Sequence, residues 1–230
     1  MRVISPSLKA RIANVTPNDV DTQRIDWAPY AWKAHWLRER LPRPEVLDEL
    51  AEHYWSARTI KRRYLYDLAA RSDAQALLIC VLAWGWGADL RGPGKAHEAL
   101  TRQTGSMAPT TVAQDIVSQL QTGGVEAGFS ASFLSTGGGR IAKVGVSYAT
   151  KFLHFSGYRG EKRPRPCIYD RNVNRALKNE PTRPETPPPW RYVRSTQYAS
   201  YCKWCEEVAT QETTTPAVVE YALFSEGRSL

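Results

Sequence analysis

The chain has 230 residues, of which 42% are hydrophobic, with eight Trp, and a formal net charge of +8. That is enough apolar material for a sizeable core, in one domain or two closely packed lobes, and it excludes a disordered chain. No apolar run nears the roughly 20 residues of a membrane-spanning helix, and four Cys do not make a disulfide framework at this length.

Charges are scattered through the first fifteen residues with no sustained apolar stretch, so no signal peptide is expected and the cytoplasm is the expected compartment. Residues 1–43 read as an N-terminal arm, and 44–230 as a helical body. Pro44 opens a helical pattern over 44–57, and 60–70 continues it or starts another helix. Ser72-Asp73 can cap a strongly apolar helix over 74–84, the expected core helix, which Gly85-Trp86-Gly87 ends. A turn at 91–94 precedes a helix over 95–103. Thr110-Thr111 can cap a helix over 112–121, which Gly123-Gly124 stops. A short helix over 126–134 is closed by glycines 137–139. A hairpin and a long second helix follow over 140–155, then a basic loop and a helix from Asp170 to 177. A proline-rich stretch spans 181–189, and 195–210 and 216–224 read as the last two helices. Strand alternation is absent, so the expected class is all-α with little or no sheet.

The positive charge is concentrated. Between 159 and 194 stand ten Lys or Arg against four acids, and a second small cluster, Arg58, Lys61, Arg62 and Arg63, lies in a helical pattern. Such a balance suits a polyanionic partner, although a solvated basic face has the same composition. Cys202 and Cys205 have the spacing of half a zinc site, but no second pair accompanies them; two small residues on a helix face are expected, and no metal.

The densest chemistry lies in 141–175. Ile141, Val144, Ala149 and Phe152 can pack two short helices closely around a turn at Gly145, where a side chain would block backbone approach or a positive φ. Backbone N–H groups at the start of the second helix would then face outward and favour a phosphate. Many all-α proteins contain such a joint for packing alone. Asp170 opens the next helix, a position that ordinarily means an N-cap.

In order and spacing this segment resembles the helix-hairpin-helix of the DNA glycosylase superfamily. Ile141-Ala142-Lys143-Val144-Gly145 stands where that family has Leu-Pro-Gly-Val-Gly, Ala149 follows in register, and Ile168-Tyr169-Asp170 with Val173 and Arg175 matches its apolar-Val-Asp-x-x-Val-x-Arg run. Thr150-Lys151-Phe152-Leu153 resembles the bacterial 8-oxoguanine DNA glycosylase-like branch, as do, more loosely, Ala83-Trp84-Gly85, the Arg91–Gly94 turn and the ending at 220–224. Three departures stand out. Lys143 replaces the first hairpin glycine, the linker before Asp170 is longer and more basic, and Ser147 occupies the position of the Schiff-base lysine of bifunctional members.

The resemblance implies a two-lobed helical fold with the hairpin over about 133–155 and a catalytic loop over 156–175. It implies a monofunctional DNA glycosylase that acts on a flipped-out damaged or modified base in double-stranded DNA, in repair or in defence against phage. Asp170 would be the catalytic carboxylate, stabilising the cationic sugar and orienting or deprotonating the attacking water. Lys151, one helical turn beyond Ser147, could reach the sugar from a shifted position or serve as a phosphate-contacting lysine. Trp84 and Trp86 would wall the base pocket, or merely finish the core. Lys143, Gly145, Ser147, Arg163, Arg165, Arg171, Asn172, Arg175, Arg91 and Lys95 would contact DNA. No cofactor is implied beyond room for a monovalent cation at the hairpin backbone. A monomer without membrane contact, associated with the nucleoid through DNA, is expected. Two other classes fit the same residues: a non-catalytic DNA-binding module, and an interaction protein whose charge serves solubility.

Overall fold

A computed structural model describes residues 2–39, 44–54, 58–133, 140–184 and 192–230. The glycine run at 137–139, the proline-rich stretch beyond Pro184 and the end of the 44–57 helix lie outside the described residues. Among those described there are twelve helices and one two-stranded sheet. The all-α expectation holds, and among the described residues no helix is long and apolar enough to cross a membrane. The chain divides into two compact units, residues 1–21, 116–132 and 145–230 in the first, and residues 22–115 and 133–144 in the second. The expected arm, 1–43, is therefore shared between them.

In the second unit the apolar run becomes α6 (Ala74–Trp86), capped by Asp73, whose carboxylate accepts from the Ala76 N–H at 2.9 Å. Every residue from Ala76 to Trp84 is buried, and each of its Leu, Ile and Val side chains contributes about 1.5–3 kcal/mol. Against it pack α4 (Glu45–Tyr54), α5 (Arg62–Ala69) and α7 (Gly92–Thr101), and α3 (Pro29–Arg38) packs on α4 and α7. The helix stops at Gly87, which has φ +58 and lies so close to the Asp26 carbonyl that a Cβ would come within 2.8 Å of it. Cluster residues Arg58–Arg63 depart from the expected helix. Here β1 (Arg24–Asp26) pairs antiparallel with β2 (Thr59–Lys61), and α5 starts only at Arg62. Three-residue strands show no period, which is why the sequence pattern conceals them.

The first unit is built on α1 (Pro6–Ala13), part of α8 (Pro109–Phe133), α9 (Val146–Gly157), α10 (Arg171–Leu177), α11 (Ser195–Gln211) and α12 (Pro216–Ser229). The two helices expected on either side of Gly123-Gly124 are the two parts of α8, broken at Gly124, whose φ 76 and ψ −166 are not helical. α12 packs on α1, α10 and α11. Ser5 ties the N-terminal residues down: its N–H and hydroxyl both donate to the buried Glu180 carboxylate, at 2.8 and 2.7 Å. Tyr198, Tyr201, Trp204 and Phe129 fill the interior, with Phe129 stacked on Tyr198 at 4.7 Å between ring centres. Cys202 and Cys205 are buried on α11 beside Cys167, and burial pushes all three thiols up from their ordinary pKa.

Candidate active site

Helix α9 is the spine of the site. Its N-cap is Gly145, in ordinary extended conformation at φ −91, with no side chain capping the helix start. The positive φ expected at Gly145 falls instead on Lys143, at φ 61. What Gly145 provides is room: among the described residues nothing lies within 4 Å of where its Cβ would be.

The face of α9 formed by Ser147, Thr150, Lys151 and His154 meets an extended segment that runs back alongside it. His154 Nδ1 donates to the Pro166 carbonyl at 2.7 Å, which fixes the proton on that nitrogen. Thr150 takes both backbone groups of Tyr169, accepting from its N–H at 3.0 Å and donating to its carbonyl at 3.1 Å. On the other side, the Tyr198 and Tyr201 hydroxyls donate to the carbonyls of Cys167 and Ile168 at 2.9 and 2.8 Å. The segment is buried, and these side chains satisfy backbone groups that no sheet neighbour supplies. The long basic linker is thereby absorbed at the far end of α9, some 15 Å of helix from Ser147. There Arg165 N–H donates to Glu206 at 2.7 Å and Arg163 Nε lies 3.7 Å from the same carboxylate.

This segment delivers Asp170 to the first turns of α9. The carboxylate is divided in its duties. Its Oδ1 caps α10, accepting from the N–H groups of Asn172 and Val173 at 2.9 and 3.1 Å. Its Oδ2 lies 3.6 Å from Lys151 Nζ, and that ammonium donates to Ser147 Oγ at 2.7 Å. Asp170 and Lys151 are 9% and 8% exposed, so the pair is shielded yet reachable. α10 is fixed from behind by α12: Arg175 Nη1 donates to the Gly227 carbonyl at 3.0 Å, and a Cβ on Gly227 would fall 1.9 Å from the Asn172 carbonyl oxygen. The described contact of Arg175 is thus inside the fold, whereas Arg171 is exposed on α10.

The remaining expected residues lie in the second unit. Trp84 is 4% exposed beneath the Arg62 guanidinium, 5.9 Å from its ring centre; the core reading of this residue is the one realised. Trp86 is half-buried, with the Arg91 guanidinium 5.7 Å from its ring centre. Arg91 grips Asp89 through Nη2 at 2.6 Å and holds that carboxyl down at about 2. Lys95 and Lys143 both reach Glu98 at 3.2 Å and lower its pKa, so these cations already have an acidic neighbour. Sequence reasoning missed Thr150, His154, Tyr198, Tyr201 and Gly227. The i, i+4 pairs Ser147/Lys151 and Thr150/His154 were the available signal for a polar face on an otherwise apolar helix.

A family model described as "Putative 8-oxoguanine DNA glycosylase OGG-like protein" matches residues 18–224. No curated protein and no solved structure matches the chain.

Proposed function

The chain belongs to the OGG-like protein family whose model it matches over residues 18–224, and on that premise we propose that it hydrolyses the N-glycosidic bond of a flipped-out damaged or modified base in double-stranded DNA. The observation that carries this reading is the divided carboxylate of Asp170, with Oδ1 spent on the helix cap and Oδ2 turned to Lys151.

In this reading the target nucleotide leaves the stack and its sugar comes to Asp170 Oδ2. As the glycosidic bond breaks, its electron pair departs with the base and the sugar becomes cationic. Asp170 stabilises that cation and orients the water that attacks C1′, taking up the water's proton. Lys151 pairs with the free oxygen of the carboxylate and Ser147 holds the ammonium in place. The uncapped start of α9, open at Gly145, takes a backbone phosphate with help from Arg171 and Asn172. Repair and defence against phage DNA with modified bases both suit this chemistry.

A second reading has a specific observation behind it. Lys151 Nζ sits 2.7 Å from the hydroxyl of Ser147, the position at which bifunctional relatives carry their amine. An amine brought there from one turn away would bond to C1′ as the base leaves with the glycosidic electron pair, its proton passing to Asp170; opening of the sugar ring at O4′ then leaves an imine that leads to strand cleavage. Borohydride added during turnover traps such an imine as a covalent protein–DNA adduct; an active enzyme that yields no adduct is monofunctional. The broader test is incubation with duplexes carrying a panel of modified bases, scoring released base by mass. Release from none of them, with DNA binding retained, would leave a non-catalytic DNA-binding protein.

A further inference from the structure

The cationic cluster at 58–63 has no part in the site above, and its placement in the second unit is electrostatically unfavourable in a particular way. Arg24 of β1 and Lys61 of β2 are direct cross-strand partners, and both are exposed. Like charges in that relation weaken a strand pair. An acid is at hand on the same strand, since Asp26 shares a face with Arg24, but the register sets Asp26 opposite Thr59. The next pair, Ile25 and Ile60, turns inward, with Ile60 fully buried, and fixes this register.

The neighbours add to the charge. Arg58 is exposed just before β2, and Arg63 is exposed in the first turn of α5, which holds no acid. Between Lys61 and Arg63, Arg62 is buried against Trp84, which leaves the other two on the surface. Among the described residues no acid forms an ion pair with Arg24, Arg58 or Lys61, and Arg63 meets Asp67 only at 4.0 Å. A ribbon of three residues per strand gains little from its own hydrogen bonds. A sequence that spends local stability on like charges there does so for a site rather than for the fold.

We propose that the β1–β2 ribbon is a second DNA-backbone contact, separate from the hairpin, in which Arg24 and Lys61 take phosphates of the duplex with Arg58 and Arg63 at its edges. This rests on the DNA-acting reading of the family. A phosphodiester backbone is the occupant that fits, because it offers successive singly charged groups to cations spaced along a strand pair and needs no apolar contact.

The register supplies an unusual test. Arg24→Glu sets opposite charges across the pair, so it should raise the melting temperature while lowering duplex affinity about 5–10-fold at 0.1 M salt. The slope of log K against log salt should fall by about one. Base release from saturating DNA should not change. The neutral double variant Arg24→Gln/Lys61→Gln should lower the slope by about two and carries the test should the first variant fold poorly. Lys9→Glu, an exposed lysine of the first unit, controls for net charge. Unchanged affinity and slope in the ribbon variants, or an equal loss in Lys9→Glu, overturns the proposal. So does a loss confined to anionic lipid vesicles. If the wild type releases no base from any duplex while the ribbon variants still lose affinity, the proposal stands and the catalytic reading falls.

Discussion

Asp170 and Lys151 form a shielded ion pair, 3.6 Å from Oδ2 to Nζ, in which the acid comes from a helix cap and the base from the middle of a neighbouring helix. The two ordinary explanations for such an aspartate, cap and catalyst, are therefore compatible, since they use different oxygens. The pair also explains why Lys151 does not lie on the surface as lysines usually do. An ammonium this buried needs an acid and a hydroxyl to complete its shell.

Thr150 is the residue that sets where Asp170 sits. Thr150→Val keeps the shape but leaves the buried N–H and carbonyl of Tyr169 unpaired, a cost of about 1–3 kcal/mol. Thermal melting should show the loss. Base release should slow more than DNA affinity weakens, because the phosphate contact proposed at Gly145 is untouched. Equal losses in both would mean that Thr150 acts only on global stability.

Gly227 performs the same service from the opposite side. Its missing Cβ admits the Asn172 carbonyl, so Gly227→Ala must push α10 away from α12. Overpacking of this kind costs about 1–3 kcal/mol. We expect a lower melting temperature, and slower base release from the fraction that remains folded. A variant with wild-type stability and rate would show that α10 has slack.

The second unit should be acid-sensitive. His35 is held below its ordinary 6.5 by burial and by its neighbours His97 and Arg38, with Glu39 opposing them; its Nε2 lies 3.4 Å from His97 Nδ1. A histidine with a depressed folded pKa takes up its proton more readily when unfolded. Stability is then complete above about pH 6.5 and is lost as pH falls through the folded value. Melting temperature should drop on going from pH 7.5 to 5.5, and His35→Gln should flatten that drop. A flat profile in the wild type would contradict the packing inferred for α3 and α7.

Much of this was legible in the sequence, for local reasons. Asp73 before α6, Asp170 before α10 and Pro216 at the head of α12 are capping and first-turn signals, and helical periodicity did the rest. Asp170 by itself reads only as a cap, and it was the resemblance of its surroundings to the helix-hairpin-helix glycosylases that made it the candidate acid. What was hidden depends on contacts distant in the chain. The return of residues 166–169 alongside α9 is made by Thr150, His154, Tyr198 and Tyr201, none of which shows a local pattern that pairs it with that segment. A glycine near a C-terminal helix end reads as fraying, so Gly227 gave no hint of its close approach to Asn172. Trp84 shows the opposite failure: an aromatic placed beside glycines looked available, but the surrounding helices enclose it.

The central claim is that Asp170 Oδ2 acts on the sugar while Oδ1 holds the helix. Asp170→Asn separates the two, because an amide oxygen can still cap α10 while the negative charge is lost. Single-turnover release of a modified base from duplex DNA is the direct measurement, made beside melting and duplex affinity. Duplex affinity should stay near wild type and melting should fall, because Lys151 loses its buried acid, while release from the folded protein slows by roughly a hundred- to ten-thousand-fold. Release at the wild-type rate from Asp170→Asn would contradict it.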